Sequence, residues 1–288
     1  MPIGSRVPTK NPNRVEVDPQ PEPDQATWAK VSITVERSDS GIVDAEIIRP
    51  RSWILESGLC AGRMLPLNVP ELEVSGLALV TAIDDCPPIA DGEGSVVTAR
   101  FVTREVHVVA SVDVLGADGA VETITGTTIH PVWSVDRKEW VPLAELADGE
   151  TLQGLDGLAV VLSVALSRVS QPVYNIEVHG EHVYQVGELG LVVHNSCAGF
   201  NDEMAKALHW LGHHGFNSSK AVPYASRSSS TFMNGLANGL KDGKIGYRIE
   251  WDPKIGGHIN VFAGKTIGPH FTFGGNAAEV AAILKQLF

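Results

Sequence analysis

Residues 173–197 read VYNIEVHGEHVYQVGELGLVVHNSC, and the organisation of the chain turns on them. Apolar and polar side chains alternate through VYNIEV, Gly180 interrupts, HVYQV and LVVH resume the alternation across a second glycine turn, and the pattern ends at Asn195. Period-two alternation punctuated by glycine predicts antiparallel strands and hairpins. The stretch ends on His194, Asn195 and Ser196, a tripeptide with its own chemistry. An asparagine amide nitrogen can attack the residue's own carbonyl, closing a succinimide and expelling the following amine. The step needs a base for the amide proton and an acid for the leaving amine, and imidazole has a suitable pKa for both. His194 is adjacent to the bond, and His182 lies one strand earlier.

Upstream of this junction the chain is strand-like. VSITVE (31–36), LALVTAI (77–83), SVVTARFV (95–102), VHVVASVDVLG (106–116) and VETITGTTI (121–129) are rich in Val, Ile and Thr and are separated by Gly, Asp and Pro. Residues 8–28 hold five prolines and many acids, so they read as a linker or surface loop. Downstream the pattern changes. Asn201 is positioned to cap a helix carrying Met204, Ala207, Leu208 and Leu211 on one face, with Gly212 to stop it. A Ser-rich loop over 217–230 follows, and YRIEW, HINVF and HFTF are short strands joined by DPKIGG and AGKTIGP. Asn276 then caps a terminal helix with Val280, Ile283, Leu284 and Leu287 as its apolar stripe.

Two blocks carry a resemblance to a known family. VYNIEVHGEHVY (173–184) followed by GLVVHN (190–195) resembles the C-terminal blocks of the Hint superfamily, which comprises inteins, hedgehog autoprocessing domains and the pretoxin Hint domains of bacterial polymorphic toxins. Thr127, Thr128, Ile129 and His130 resemble that family's Thr-x-x-His motif, and VPLAELADGETL (141–152) resembles the stretch after it. The resemblance covers roughly residues 90–195. It implies an all-β, horseshoe-like Hint domain over 1–195, with 29–94 as an elaborated β insertion. It further implies that Thr127 and His130 polarise an upstream bond, that His182 and His194 assist cleavage after Asn195, and that Ser196 supplies the departing amine.

One departure matters. PIGSRV (2–7) resembles a segment that in the family follows a Cys or Ser nucleophile block, and no such block precedes it here. Splicing and an N-terminal acyl shift are therefore not expected, and Cys60 and Cys86 read as small core residues.

The module after the His-Asn pair in pretoxins is the toxin, so residues 196–288 are expected to be an effector: a small α+β domain with an antiparallel meander and flanking helices. Strand parity puts Tyr247, Ile249, Trp251, Ile259, Val261, Phe271 and Phe273 on one face, and Arg248, Glu250, His258, Asn260, His270 and Thr272 on the other, with Lys265 in an adjoining loop. Two histidines with cations suit metal-independent RNA cleavage, one imidazole as base and the other as acid, with Lys or Arg against the phosphate. The architecture resembles the barnase, EndoU, colicin and RelE group of ribonucleases. Two alternatives stay open: an ADP-ribosyltransferase using Arg248 and Glu250, or a non-enzymatic binding module.

Charge divides the same way. The 288 residues carry a net −12, yet 196–288 alone carry +3 and five of the ten histidines, which suits contact with a polyanion such as RNA. A zinc deaminase would pair H-x-E with P-C-x-x-C and a P-loop enzyme would show GxxxxGK[ST]; His179-Gly180-Glu181 is an H-x-E, but the chain contains neither P-C-x-x-C nor GxxxxGK[ST]. No cofactor is expected. The pretoxin resemblance further implies a cognate immunity protein and delivery as part of a larger, Rhs-like exported toxin. No membrane anchor is expected, since the longest apolar stretch, Leu155–Leu166, is shorter than the ~20 residues a helical span needs.

Overall fold

The computed structural model describes residues 1–9, 11–12, 22–37, 39–155, 157–194, 198–225, 237–274 and 277–288. Asn195, Ser196 and Asn276 lie outside the described residues, as do residues 226–230 of the expected Ser-rich loop, whose described part forms a 3-10 turn over 218–220 and a strand over 222–224. In chain order the elements are β1 (Arg6–Val7), β2 (Trp28–Glu36), β3 (Ile42–Pro50), α1 (Arg51–Glu56), β4 (Met64–Val69), β5 (Val74–Asp85), β6 (Ser95–Gly116), β7 (Val121–Gly126), β8 (Pro131–Ser134), β9 (Glu139–Pro142), β10 (Thr151–Gln153), β11 (Leu158–Val178), β12 (Val183–Val186) and β13 (Leu191–His194). Then come α2 (Ala198–His213), β14 (Val222–Tyr224), β15 (Gly239–Asp242), β16 (Ile245–Asp252), β17 (Gly256–Ala263), β18 (Thr266–Gly274) and α3 (Ala277–Leu287). Among the described residues no helix is long and apolar enough to cross a membrane.

The chain divides into two compact units. Met1–Pro50 with Val69–Ser196 form the first, and Arg51–Asn68 with Cys197–Phe288 form the second. Residues 51–68, read from sequence as part of the β insertion, thus belong with the second unit.

The first unit is built on an antiparallel sheet whose strands run in the order β12, β13, β8, β10, β11, β6, β3, β2, β5. Two long strands, β6 and β11, pair from Ala159 opposite Gly116 to Val178 opposite Val97, with register shifts that include Val161/Ser163 and Arg168/Gln171. Extra residues of this kind bend a strand and increase its twist, so one ribbon can serve two groups of partners. At one end β6 pairs with β3, and at the other with β7. Alternation decides what is buried: Val31, Ile33 and Val35 of β2 point inward between polar neighbours, and Val112, Val114, Leu152, Val161 and Leu191 form a core around β6, β10, β11 and β13. The block 141–152 serves that core, because Leu143, Leu146 and Leu152 are buried and the Glu150 carboxylate accepts from the Ala147 N–H and from Arg137. Cys86 is a core residue as expected, whereas Cys60 is exposed, since it sits in a turn.

The second unit is α+β. Its antiparallel sheet runs β14, β15, β16, β17, β18, so two strands, β14 and β15, precede the expected meander. Tyr247, Ile249, Ile259 and Val261 pack against Phe200, Met204, Ala207 and Leu211 of α2 and Val280, Ile283 and Leu284 of α3. Full burial of Ile249 and Ile259 contributes ~2 kcal/mol each. The β17–β18 turn tightens to Gly264 and Lys265, so β18 starts earlier than HFTF. Pro269, which has no N–H to donate, falls in the register shift between Asn260 and Phe262, where the ladder can spare it.

Helix α2 departs from the sequence reading at both ends. It begins at Ala198, so Asn201 is inside it rather than its cap. The Asn201 side chain instead accepts from the Asn68 N–H at 2.7 Å and donates to the Asn68 carbonyl at 2.9 Å. At the other end Phe216 N–H bonds Leu211 O and Gly215 N–H bonds Gly212 O, a Schellman closure with Gly215 at φ 85°, so Gly215 and not Gly212 stops the helix.

Candidate functional site

In the first unit the hairpin of β12 and β13 sets Val183 opposite His194. His182 is therefore one residue before the rung that carries His194, at the end of the described chain nearest Asn195. The turn leading to His182 places it at φ 51°, a left-handed conformation that histidine adopts more readily than most side chains. His130 arrives from the other side. Thr127 O accepts from His130 N–H, and His130 O accepts from Leu143 N–H, which fixes the Thr-x-x-His turn beside β8. Because Val132 of β8 is opposite Val193 of β13, the turn lies alongside the final strand.

The three rings share one electrostatic environment. His130 and His182 are each pushed down to about 4, first by desolvation, and the charge of His194 lowers both further. Both rings are thus neutral at pH 7. His182 Nδ1 and Thr127 Oγ1 are buried without a hydrogen-bond partner among the described residues. His194 lies 4.9 Å from the Trp140 ring, and its Nδ1 is 3.6 Å from Glu71 Oε1. Tyr184 donates to Asn175 Oδ1 at 2.7 Å, has its hydroxyl 3.5 Å from His130 Nε2, and is held protonated by burial. Beneath His182, buried Glu177 accepts from Arg49 at 3.0 Å and from Thr98 at 2.7 Å. Desolvation opposes its charge, but Arg49 and its hydrogen bonds hold the carboxyl below the usual range.

Thr127, His130, His182 and His194 are therefore brought together. Sequence reasoning missed Glu71, Arg49, Glu177 and Tyr184. One local signal was present: Asn175 and Glu177 are polar at alternate positions of VYNIEV, and both face inward. Nothing in the sequence marked Glu71 or Arg49.

In the second unit the register aligns the predicted polar face. Arg248, Asn260 and His270 occupy successive strands of one rung, and Glu250, His258 and Thr272 the next. The His258 and His270 rings stack at 5.4 Å between centroids, 8° from parallel. Asn260 Nδ2 donates to Glu250 Oε2 at 2.6 Å, Arg248 Nε is 2.9 Å from Glu250 Oε1, and His258 Nε2 is 3.9 Å from Glu250 Oε2. Two corrections follow. Lys265 sits at the hairpin turn, five residues from His270 and roughly 15 Å away at ~3.3 Å per residue, so it does not join the cluster. The face is also not a plain solvent face: Glu250, His258 and Asn260 are only 7%, 5% and 7% exposed, while His270 and Thr272 are open. Tyr224 of β14 adds a ring whose hydroxyl is buried without a hydrogen-bond partner among the described residues, and desolvation raises its pKa. Neither unit gathers three His, Cys, Asp or Glu side chains that could hold a metal among the described residues.

No curated protein matches the chain. Among solved structures, a bacterial intein-like domain from Clostridium thermocellum is 21% identical, covering 58% of this chain and 98% of its own at a TM-score of 0.31. The TvoVMA intein is 13% identical, covering 58% and 98% at a TM-score of 0.32. Residues 89–196, from before β6 to the residue after the His-Asn pair, match the family model of the pretoxin HINT domain.

Proposed function

We propose that the first unit is an autoprocessing domain that breaks the chain after Asn195 and that residues 196–288 are the effector it frees. The observation that carries this reading is the convergence of His130, His182 and His194 at the strand end that leads into Asn195, within the segment similar to the pretoxin HINT family. The Asn195 amide nitrogen attacks the Asn195 carbonyl carbon and loses a proton. The bond to the Ser196 nitrogen breaks, and that nitrogen leaves as an amine with a proton gained. His182, neutral and desolvated, is suited to accept the first proton, and His194, beside the Glu71 carboxylate, to deliver the second. No water is consumed, so the N-terminal product ends in a succinimide. Mass spectrometry of the purified chain therefore finds a fragment ending at Asn195 that is one water lighter than the acid, and Asn195→Ala abolishes it. Cleavage that survives Asn195→Ala refutes the mechanism.

For the effector we infer a metal-independent ribonuclease. The stacked His258 and His270, with Arg248 on the His270 rung, support this, since acid, base and a cation for the phosphate lie on adjacent strands. Expression of the chain in bacteria, wild type beside His258→Ala and His270→Ala, with total RNA on a gel, tests it. Toxicity with intact RNA directs attention to Arg248 and Glu250 as a transferase pair, and a folded, harmless chain favours a binding module.

A further inference from the structure

The segment Arg51–Asn68 lies far upstream of Asn195 in sequence, yet it is built into the unit formed by Cys197–Phe288. Its attachment is specific. Trp53, Ile54, Leu65 and Leu67 are buried. The Trp53 indole N–H donates to the Asp202 carbonyl at 3.1 Å. The Asn201 side chain bonds both backbone groups of Asn68, reading one residue of β4 as a neighbouring strand would. Lys206 reaches Glu56 at 3.6 Å. Gly58 at φ 60° leaves the space that the His209 ring fills, and an added Cβ there would stand 2.3 Å from that ring.

We propose that residues 51–68 are a strap that retains the effector: breaking the chain after Asn195 cuts the covalent link but leaves the two products joined through this segment. The consequence for release rests on the cleavage reading above, but the strap itself does not. The partners named above, Asn201, Asp202, Lys206 and His209, lie on α2, which begins just after the cleaved bond. Cleavage therefore yields a non-covalent complex, and release is a second event that requires the buried Trp53 and the Asn68–Asn201 pair to come apart. A buried amide pairing two backbone groups is expensive to open without replacement partners, which makes the retained state long-lived.

The test separates the two ideas. A specific protease site is placed between Asn195 and Ser196 in the full chain carrying Asn195→Ala, so that cutting does not depend on autoprocessing. After digestion the products are run on a native sizing column at micromolar concentration. Co-elution of both fragments is expected, as is co-elution of the natural products if the unmodified chain cleaves itself. Asn201→Ala and Trp53→Ala are each expected to weaken retention by roughly ten- to hundredfold, with helicity unchanged before digestion. Lys220→Ala, outside the strap contacts, serves as the control and retains the complex. Separation of the wild-type fragments under native conditions overturns the proposal, and so does undiminished retention in the folded Trp53→Ala and Asn201→Ala double variant. Failure of the unmodified chain to cleave bears only on the autoprocessing reading.

Discussion

Acidification tests the environment of His130 and His182 directly. His130 and His182 sit at about 4 in the folded chain against 6.5 for an ordinary histidine. Because the folded values are depressed, unfolding takes up protons below pH 6.5. The stability tied to keeping these rings neutral is whole above that pH and drains away between pH 6.5 and 4. At pH 5 the linkage relation gives about 2 kcal/mol lost per ring, about 4 kcal/mol for the two. The carboxylates held below their usual range, Glu177, Asp44 and Asp113, lose their contribution lower still, which leaves the window from 7 to 5 to the imidazoles. Urea unfolding of the Asn195→Ala chain at pH 7.5 and pH 5, followed by a probe in the first unit such as Trp28, Trp133 or Trp140, reads the loss. His182→Gln halves it, because one of the two rings is gone. Nitrogen-detected imidazole spectra give the same answer ring by ring. Either ring titrating near 6.5 in the folded chain, or a stability that stays flat from pH 7.5 to 5, refutes the desolvation argument.

Other outcomes follow from individual contacts. Glu71→Gln removes the carboxylate beside His194 and slows cleavage after Asn195 by roughly tenfold or more; a rate equal to wild type counts against it. Asn201→Ala strips the buried amide from the Asn68 backbone and costs about 2 kcal/mol in denaturant unfolding of the second unit. Gly215→Ala costs about 1 kcal/mol because the helix-terminating φ of 85° strains any Cβ, although no atom lies within 4 Å of where that Cβ would stand. His258→Ala and His270→Ala each cost roughly 10²–10⁴ in RNA cleavage, while Lys265→Ala, at the far turn of the hairpin, leaves it within a few-fold.

What the sequence made legible, and what it did not, follows the range of the interactions. Period-two alternation set the faces of β16, β17 and β18 correctly because each residue's side of the sheet is a local property, and the neighbours on adjacent strands followed once the hairpins closed. The Thr127–His130 turn and the β12–β13 hairpin were legible for the same reason. Asn201 was misread because an asparagine before an apolar periodic run is a good cap, and its actual partner, Asn68, is 133 residues away. Glu177 finds Arg49 across 128 residues, and no spacing rule reaches that far. The assignment of 51–68 to the second unit is an extreme case. The segment is short, mixed in pattern and flanked by strands of the first unit, so only the partners on α2 reveal where it belongs.

Burial also decides how much weight the polar face of the second unit's sheet can bear. Polar residues on the open face of a sheet need no explanation, because water solvates them at no cost. Glu250, His258 and Asn260 are not on such a face: they are nearly closed to solvent, and burying a carboxylate with imidazole and amide groups is costly unless each finds partners. Partners are found in part, through Asn260 to Glu250 and His258 Nδ1 to the Gly256 carbonyl at 3.0 Å. Arg248 Nε and Glu250 Oε1 pair with each other at 2.9 Å, whereas Tyr224 Oη has no hydrogen bond among the described residues. A cluster kept only for stability would gain by apolar replacement. A cluster with an unmet Tyr224 hydroxyl beside a closed, charged floor, opening through His270 and Thr272 at its rim, is instead arranged to meet a polar ligand from outside. That contrast favours a chemical role for this face over a chance collection of histidines.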